Sequence, residues 1–496
     1  MLKLFLAMVK SGGAGIAGLF FGLIANKILA VTLGPMGVGL LATYRQVHDM
    51  ATGLGLFGGG AGQIQALSSV EGEARRRRVA TSIWLSLCGA VITALTLLLT
   101  APLLAEHVFR DSSPDIVLGI RCLALTVGLA IIGVTLQGLI NVSRAIGRLA
   151  IVQVLGSLTL AIVAWPLAKL AVGDHGLAFV GFVLVPVVAQ FAVASWYIHK
   201  LGWMGPVLEA LRRRPEREDM AHQLRFFAAG LSAGALSAIC FMAMRALLVD
   251  TGGQELHGLF QAAWTLALQN VGLLMSAATT YLLPTMAGAA SEEERSRTVN
   301  DAVEMLVLCS IPLIGGALLF QPLILELLFS PRFLPALDAL TWMLIGNYFR
   351  VFQVLYFNVA VAAARVRVMM ITEIAWYVSF SGLVVVALSP HPPTWLTGLH
   401  GIGIAFAVVQ IATMLGGMWY ARVALGVRLQ LRTQAIWFGG LAMVVICAAA
   451  TWNDHATNWK VSIPLAVATL VVPIILAGPR RWNEVRAVVS GWRGRD

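Results

Sequence analysis

"KILAVTLGPMGVGLLATYRQ" (residues 27–46) is an apolar run broken by Gly34-Pro35, with Lys27 at one end and Arg45 near the other. The Gly-Pro pair predicts a tight turn between two membrane helices, since proline disrupts a helix interior and glycine takes turn geometry freely. A second stretch, "RALLVDTGGQELHGLFQAAWT" (residues 245–265), echoes the first. Lys27 and Arg245 lie 218 positions apart, and Gly39 and Gly258 lie 219 apart. Each copy leads through a long helix to an acidic patch, Glu71 and Glu73 in one and Glu292–Glu294 in the other. Two six-helix halves made by duplication are expected, and parallel halves of this kind place a central cavity at their interface.

Composition sets the environment. Of 496 residues, 58% are hydrophobic and 12% charged, against about 25% charged in soluble domains. Mean hydropathy is +0.83. Apolar stretches of about 20 residues recur with short polar breaks, which predicts an all-α integral membrane protein rather than a barrel of short alternating segments. Hydropathy places about fourteen spans near 12–33, 36–68, 81–104, 116–140, 150–172, 177–199, 225–249, 257–287, 301–326, 336–363, 368–389, 401–421, 435–452 and 461–478. The chain then divides into an N-lobe (1–199), an amphipathic linker (200–224), a C-lobe (225–433), and two additional helices with a basic tail (434–496). Pro215 is expected to interrupt the linker helix.

Charge gives the orientation. One set of loops holds "EARRRR" (73–78), Arg144, Arg148, "LRRRPER" (211–217), Arg295, Arg297, "RVR" (365–367), Arg422, Arg428, Arg432 and "PRR" (479–481). The alternating set holds mainly Arg110, Arg332 and Lys460. The positive-inside rule makes the first set cytoplasmic, with both termini on that side. The net charge of +11 is therefore topogenic and faces anionic lipid, and no nucleic-acid partner is expected. Five scattered cysteines offer neither metal-ligand spacing nor a disulfide framework. Walker, HExxH and nucleophile-elbow motifs are lacking, so neither an enzyme nor a cofactor or metal is expected.

Charge inside a span is costly and marks a cavity or a partner. Four basic residues qualify: Lys27, Arg45, Arg245 and Arg350. Arg45 lies ten residues beyond Pro35, or ~15 Å at 1.5 Å per residue, near the middle of a ~30 Å core. Each could instead snorkel to the interface, and Asp49 at i+4 could neutralise Arg45 locally. A shared cationic cavity suits phosphate oxygens, which guanidinium forks bind in pairs. Sugar hydroxyls could be read by Asn26, Tyr44, Gln46, Gln261, Trp264 and Gln353, with Gln269, Asn270, Asn347 and Asn358 nearby, although each alone also serves as helix–helix glue. Asp49 and Glu373, and less plausibly Glu304, are candidates for proton or ion coupling. His48 reads as helix packing.

Three patches resemble one family. "NKILAVTLGPMGVGLLATYRQ" (26–46) is similar to the first helical hairpin of the O-antigen and lipid III flippases, the polysaccharide-transport branch of the MOP exporters. Residues 244–289, with Gly-x-x-Gln-Ala-x-Trp from Gly258 and "YLLP" at 281–284, resemble that family's seventh and eighth helices. "LIGNYFRVFQVLYFNVAVAAARVRVMMITEI" (344–374) resembles its tenth-to-eleventh segment. The resemblance implies a MOP-type fold of two pseudo-symmetric lobes. It also implies alternating-access flipping of an undecaprenyl-diphosphate-linked oligosaccharide, with Lys27, Arg45, Arg245 and Arg350 at the family's basic positions. Partners would be the polyprenyl-diphosphate-linked glycan, membrane lipids, and a polysaccharide polymerase with its chain-length regulator. The two additional helices are more typical of other branches. A lipid II flippase and a MATE-like multidrug exporter are the alternative transporters, and a polysaccharide polymerase is the alternative of another class.

Overall fold

The computed structural model describes residues 2–57, 63–64, 67, 70, 72–143, 145–172, 176–213, 215–287, 291–363, 365–452 and 456–493. Among these residues the chain is helical with no strand. Eleven of the described helices are long and apolar enough to cross a membrane, and the chain is a multi-pass membrane protein. The Glu71 and Arg144 readings, and the side chains of Arg480 and Arg481, lie outside the described residues.

Two helices are pairs of arms joined at a bend: α1 (Leu2–Gly55) and α7 (Arg217–Ala287). Gly34 in α1 takes φ 66° and ψ −168°, and Gly253 in α7 takes φ 67° and ψ −173°. This corner of backbone space is essentially closed to residues with a Cβ. The two glycines lie 219 positions apart, the same offset as Gly39 and Gly258. Gly252 (φ −139°, ψ 17°) is the extra residue of the second copy, which explains the shorter offset between Lys27 and Arg245.

The chain forms two compact units. The first is Gly13–Gly258; the second is Leu259–Asp496 together with Met1–Gly12. In the first, α2 (Gly72–Leu104), α3 (Pro114–Val142), α4 (Ile146–Ala171) and α5 (Leu177–Lys200) follow the first arms. There α3 packs on α2 and on α5, and α5 packs on α4. In the second, α8 (Glu292–Leu319), the short α9 (Gln321–Leu328), α10 (Leu337–Ala362), α11 (Val366–Ala387) and α12 (Gly398–Leu425) follow α7. The scheme repeats: α10 packs on α8 and on α12, and α12 packs on α11. Outside the repeat, α13 (Leu431–Ala450) and α14 (Trp459–Arg493) both pack on α8.

Some boundaries differ from expectation. The second arm of α1 ends at Gly55 rather than near residue 68. Its end is set against α2 so closely that a Cβ on Gly89 would fall 2.0 Å from the Gly55 carbonyl oxygen. Helix α2 begins at Gly72, because the arginine run is a good helix former and extends the span by more than two turns. The tail is helical through Arg493. In the linker, α6 (Met204–Arg212) ends before Pro215 and α7 begins after it, as expected. Ala210 is buried while Leu208 and Leu211 are exposed, the two-sided pattern of an interfacial helix.

Small residues let the arms meet. A Cβ on Gly258 would lie 1.8 Å from the Pro35 carbonyl oxygen, and one on Gly39 would lie 2.1 Å from the Gln254 carbonyl oxygen. Gly258→Ala or Gly39→Ala should therefore sharply reduce the folded fraction in detergent. Gly253→Ala should cost about 1–3 kcal/mol through its dihedrals alone. Gly205→Ala, with open space around it, should leave the fluorescence-detected melting profile unchanged.

Candidate functional site

The second arm of α1 presents its residues in sequence to different neighbours. The Ala42 carbonyl accepts from Nη1 of Arg245 at 2.8 Å. Thr43 donates to the Gly39 carbonyl at 3.1 Å, and its hydroxyl lies 3.3 Å from Nδ1 of His257. Tyr44 is wholly buried, edge-on to Phe109 at 4.8 Å and stacked near Phe179 at 6.0 Å. One turn from Ala42, Arg45 is half-buried; its Nη2 is covered from solvent and, among the described residues, meets no acceptor. Nearby, the Oε1 of Gln46 is likewise covered and unbonded.

Asp49 joins this group. Its charge acts on both Arg45 and Arg245, while its Oδ1 lies 3.0 Å from Nδ1 of buried His48. The closest partner of Asp49 is thus the adjacent histidine, and Arg45 forms no ion pair within 4.0 Å among the described residues. Asp49 is 79% exposed at its side chain, placing it at the open side of the cluster. Three of the expected residues, Arg45, Arg245 and Asp49, are therefore gathered within the first unit. Lys27 and Asn26 are half-buried on the first arm of α1.

Arg350 belongs to the second unit. It projects from α10 half-buried, with Nη1 covered and unbonded among the described residues. The phenol of Tyr377 on α11 acts on it electrostatically. Gln353 is half-buried a turn further on. Trp264 stands in an aromatic group: it stacks with Phe260 at 5.6 Å and with Phe380 at 5.8 Å, and meets Phe406 edge-on. Gln261 donates to the Thr265 hydroxyl at 3.2 Å. Buried Asn347 bonds the Ala267 carbonyl and buried Asn358 bonds Thr279. Asn270 bonds the Leu313 carbonyl. Glu373 is half-buried on α11, and Glu304 accepts from Thr433 and lies 3.8 Å from Arg432.

Sequence reading passed over His257. It is fully buried, its Nδ1 faces Thr43, and Arg245 acts on it electrostatically. The available signal was the repeat itself: at the same 219 offset the other copy carries Val38.

Residues 28–338, more than half of the chain, match a family described as polysaccharide biosynthesis protein. The chain belongs to that family. It is 25% identical over 404 residues to the lipid III flippase of Escherichia coli K12, spanning 79% of this chain and 91% of that protein. In structure it resembles the lipid II flippase MurJ in an inward closed conformation, with TM-score 0.69 at 13% identity over 94% of this chain and 98% of that one. It also resembles an inward-facing multidrug resistance MATE transporter of the MOP superfamily, with TM-score 0.67 at 15% identity over 84% and 94% of the two chains. The expected MOP-type fold is thus the observed one.

The two arginines of the first unit differ in what their removal should do. Arg245 is bonded to backbone, whereas Arg45 carries a charge whose placement at mid-helix costs about 3 kcal/mol in a bilayer. Arg245→Met should lower the melting temperature of the purified protein. Arg45→Met should leave it unchanged or raise it, as expected of a residue held for function rather than stability.

Proposed function

We propose that the protein is a flippase carrying an undecaprenyl-diphosphate-linked oligosaccharide, such as an O-antigen, common-antigen or exopolysaccharide repeat unit, between leaflets of a bacterial inner membrane. The observation that carries this reading is the Arg45 guanidinium, half-buried in an apolar arm with a covered nitrogen that meets no acceptor among the described residues. A diphosphate would supply the missing acceptors through charge-assisted, paired hydrogen bonds. Family membership and similarity to a lipid III flippase support a lipid-linked cargo.

In this reading Lys27, Arg45, Arg245 and Arg350 form one cationic cavity between two lobes, 1–199 and 225–433, joined by the 200–224 linker. Arg45 and Arg350 hold the diphosphate, and Arg245 chiefly fixes the arm that carries Arg45. Trp264, Gln261, Gln353, Asn26 and Gln46 face the sugar, while Tyr44, wholly buried against Phe109 and Phe179, serves in packing alone. Asp49 and Glu373 serve the coupling ion. Fourteen crossings follow if α1 and α7 each cross twice and α10 crosses once, with both termini cytoplasmic and the cargo moving toward the periplasmic leaflet. A polysaccharide polymerase and chain-length regulator would take over the product.

The test is complementation in a deletion strain. Arg45→Ala and Arg350→Ala should each abolish surface glycan export and accumulate the lipid-linked intermediate in the cytoplasmic leaflet, at wild-type protein levels. Normal surface polysaccharide in both variants would remove the cationic site.

A further inference from the structure

The arginine-rich end of the first unit, where α2 begins and α5 ends, sorts its cations into two kinds. Nη1 of Arg77 donates to both carboxylate oxygens of Glu216, at 3.1 and 2.8 Å. Arg78 pairs with Asp219, Arg76 reaches Glu209, and Arg213 meets Glu73. These four are neutralised by the chain's own carboxylates and lace α2 to the linker.

Arg75 and Arg148 are different. Neither has a carboxylate partner among the described residues; each guanidinium instead lies over a ring, Arg75 on Trp203 at 5.0 Å and Arg148 on Tyr197 at 5.7 Å. Both rings, with Leu149 and Val207, belong to one small core cluster. The platform is fixed, because the Trp203 indole N–H donates to the Ser143 hydroxyl at 2.8 Å. A ring beneath a guanidinium satisfies its charge in part but takes none of its in-plane N–H donors. Nε of Arg75 and Nη1 of Arg148 are covered and, among the described residues, unbonded, while both residues remain partly exposed.

The surroundings identify the ligand. Beside this cluster α6 turns Leu208 and Leu211 outward, and Lys200 rests its ammonium 4.0 Å from the centre of the exposed Trp196 ring. Exposed leucines, an outward tryptophan and a lysine are the pattern of the headgroup level of a bilayer. We infer that Arg75 and Arg148, laid on Trp203 and Tyr197, form a phosphate-binding site for the headgroup of a membrane lipid, separate from Arg45 and Arg350. The inference does not depend on which cargo the protein carries. The phosphate could belong to an anionic phospholipid or to a polyprenyl diphosphate.

The test is native mass spectrometry and nanodisc titration of the full-length protein with phosphatidylglycerol, a polyprenyl diphosphate and phosphatidylcholine. Wild type should retain one of the two anionic lipids over phosphatidylcholine, and the preferred one identifies the source. Arg75→Gln with Arg148→Gln should weaken that binding about tenfold. The lysine pair, Arg75→Lys with Arg148→Lys, keeps both charges to guard against misfolding and should weaken it about threefold by losing the planar fork. Arg76→Gln should leave it intact. Unchanged binding in the glutamine pair, undiminished binding in the lysine pair, or an equal loss in Arg76→Gln would each overturn the site.

Discussion

The backbone corner at Gly34 and Gly253 is the constraint on which the rest depends. At φ near +66° and ψ near −170°, each glycine lets an apolar helix change direction without a loop of exposed amides, which a bilayer would not tolerate. The bend then delivers Gly39 and Gly258 to a crossing where backbone touches backbone. Because the arms approach so closely, short polar links reach across: Arg245 to Ala42, His257 to Thr43, and Gln254 to the Phe109 carbonyl at 3.3 Å. Arg110 adds an ion pair with Asp250 at 3.4 Å. A side chain at either glycine would separate the arms and sever these links together. The position of Arg45 therefore follows from a dihedral angle eleven residues away, at Gly34.

Within this frame the chain treats its cations unequally. At the arginine-rich end most guanidinium groups meet carboxylates, and the second half uses a related device without as many charges. There Asn300 bonds the Arg428 carbonyl and the Gln430 amide, and Ser296 bonds the Gly426 carbonyl and the Arg428 amide. The segment that follows α5 is tied to the start of α2, and the segment that follows α12 to the start of α8, so the two halves share an architecture while its chemistry differs. Arg45 and Arg350 each carry, within an apolar helix, a covered N–H that meets no described acceptor. Burying a charge with incomplete hydrogen bonding is unfavourable, and a site that awaits an anion is the arrangement in which such a cost has a use.

Much of this was legible in the sequence. Hydropathy gave the helices, and Gly34-Pro35 gave the bend. The 218 and 219 offsets of Lys27–Arg245 and Gly39–Gly258 gave the repeat, and the structure accounts for their one-residue difference at Gly252. What pattern alone missed depends on three-dimensional neighbours. Tyr44 reads as a polar group in an apolar helix, yet Phe109 and Phe179 enclose it, and a Cβ on Gly119 would fall 2.5 Å from its hydroxyl. Asp49 is four residues from Arg45, but His48 binds its carboxylate at 3.0 Å, a choice of rotamer that spacing does not determine. Charge pattern alone sets the run Arg75–Arg78 against lipid, yet three of its members face the linker's acids, which lie more than a hundred residues away in sequence.

The departure from symmetry has its own logic. Helix α2 turns a row of apolar side chains outward, with Val91, Ile92, Leu95 and Leu99 all more than half exposed. Its counterpart α8 is covered instead. Thr451 and Ser462 bond the Leu318 and Leu319 carbonyls, and Gly315 brings Thr469 and Cys447 so close that a Cβ there would meet the Thr469 methyl at 2.7 Å. Thus α13 and α14 occupy the face that α2 leaves to lipid. The bends, the crossings and the packing order are common to both halves, so the two added helices alter what the membrane touches while leaving the repeated scaffold unchanged.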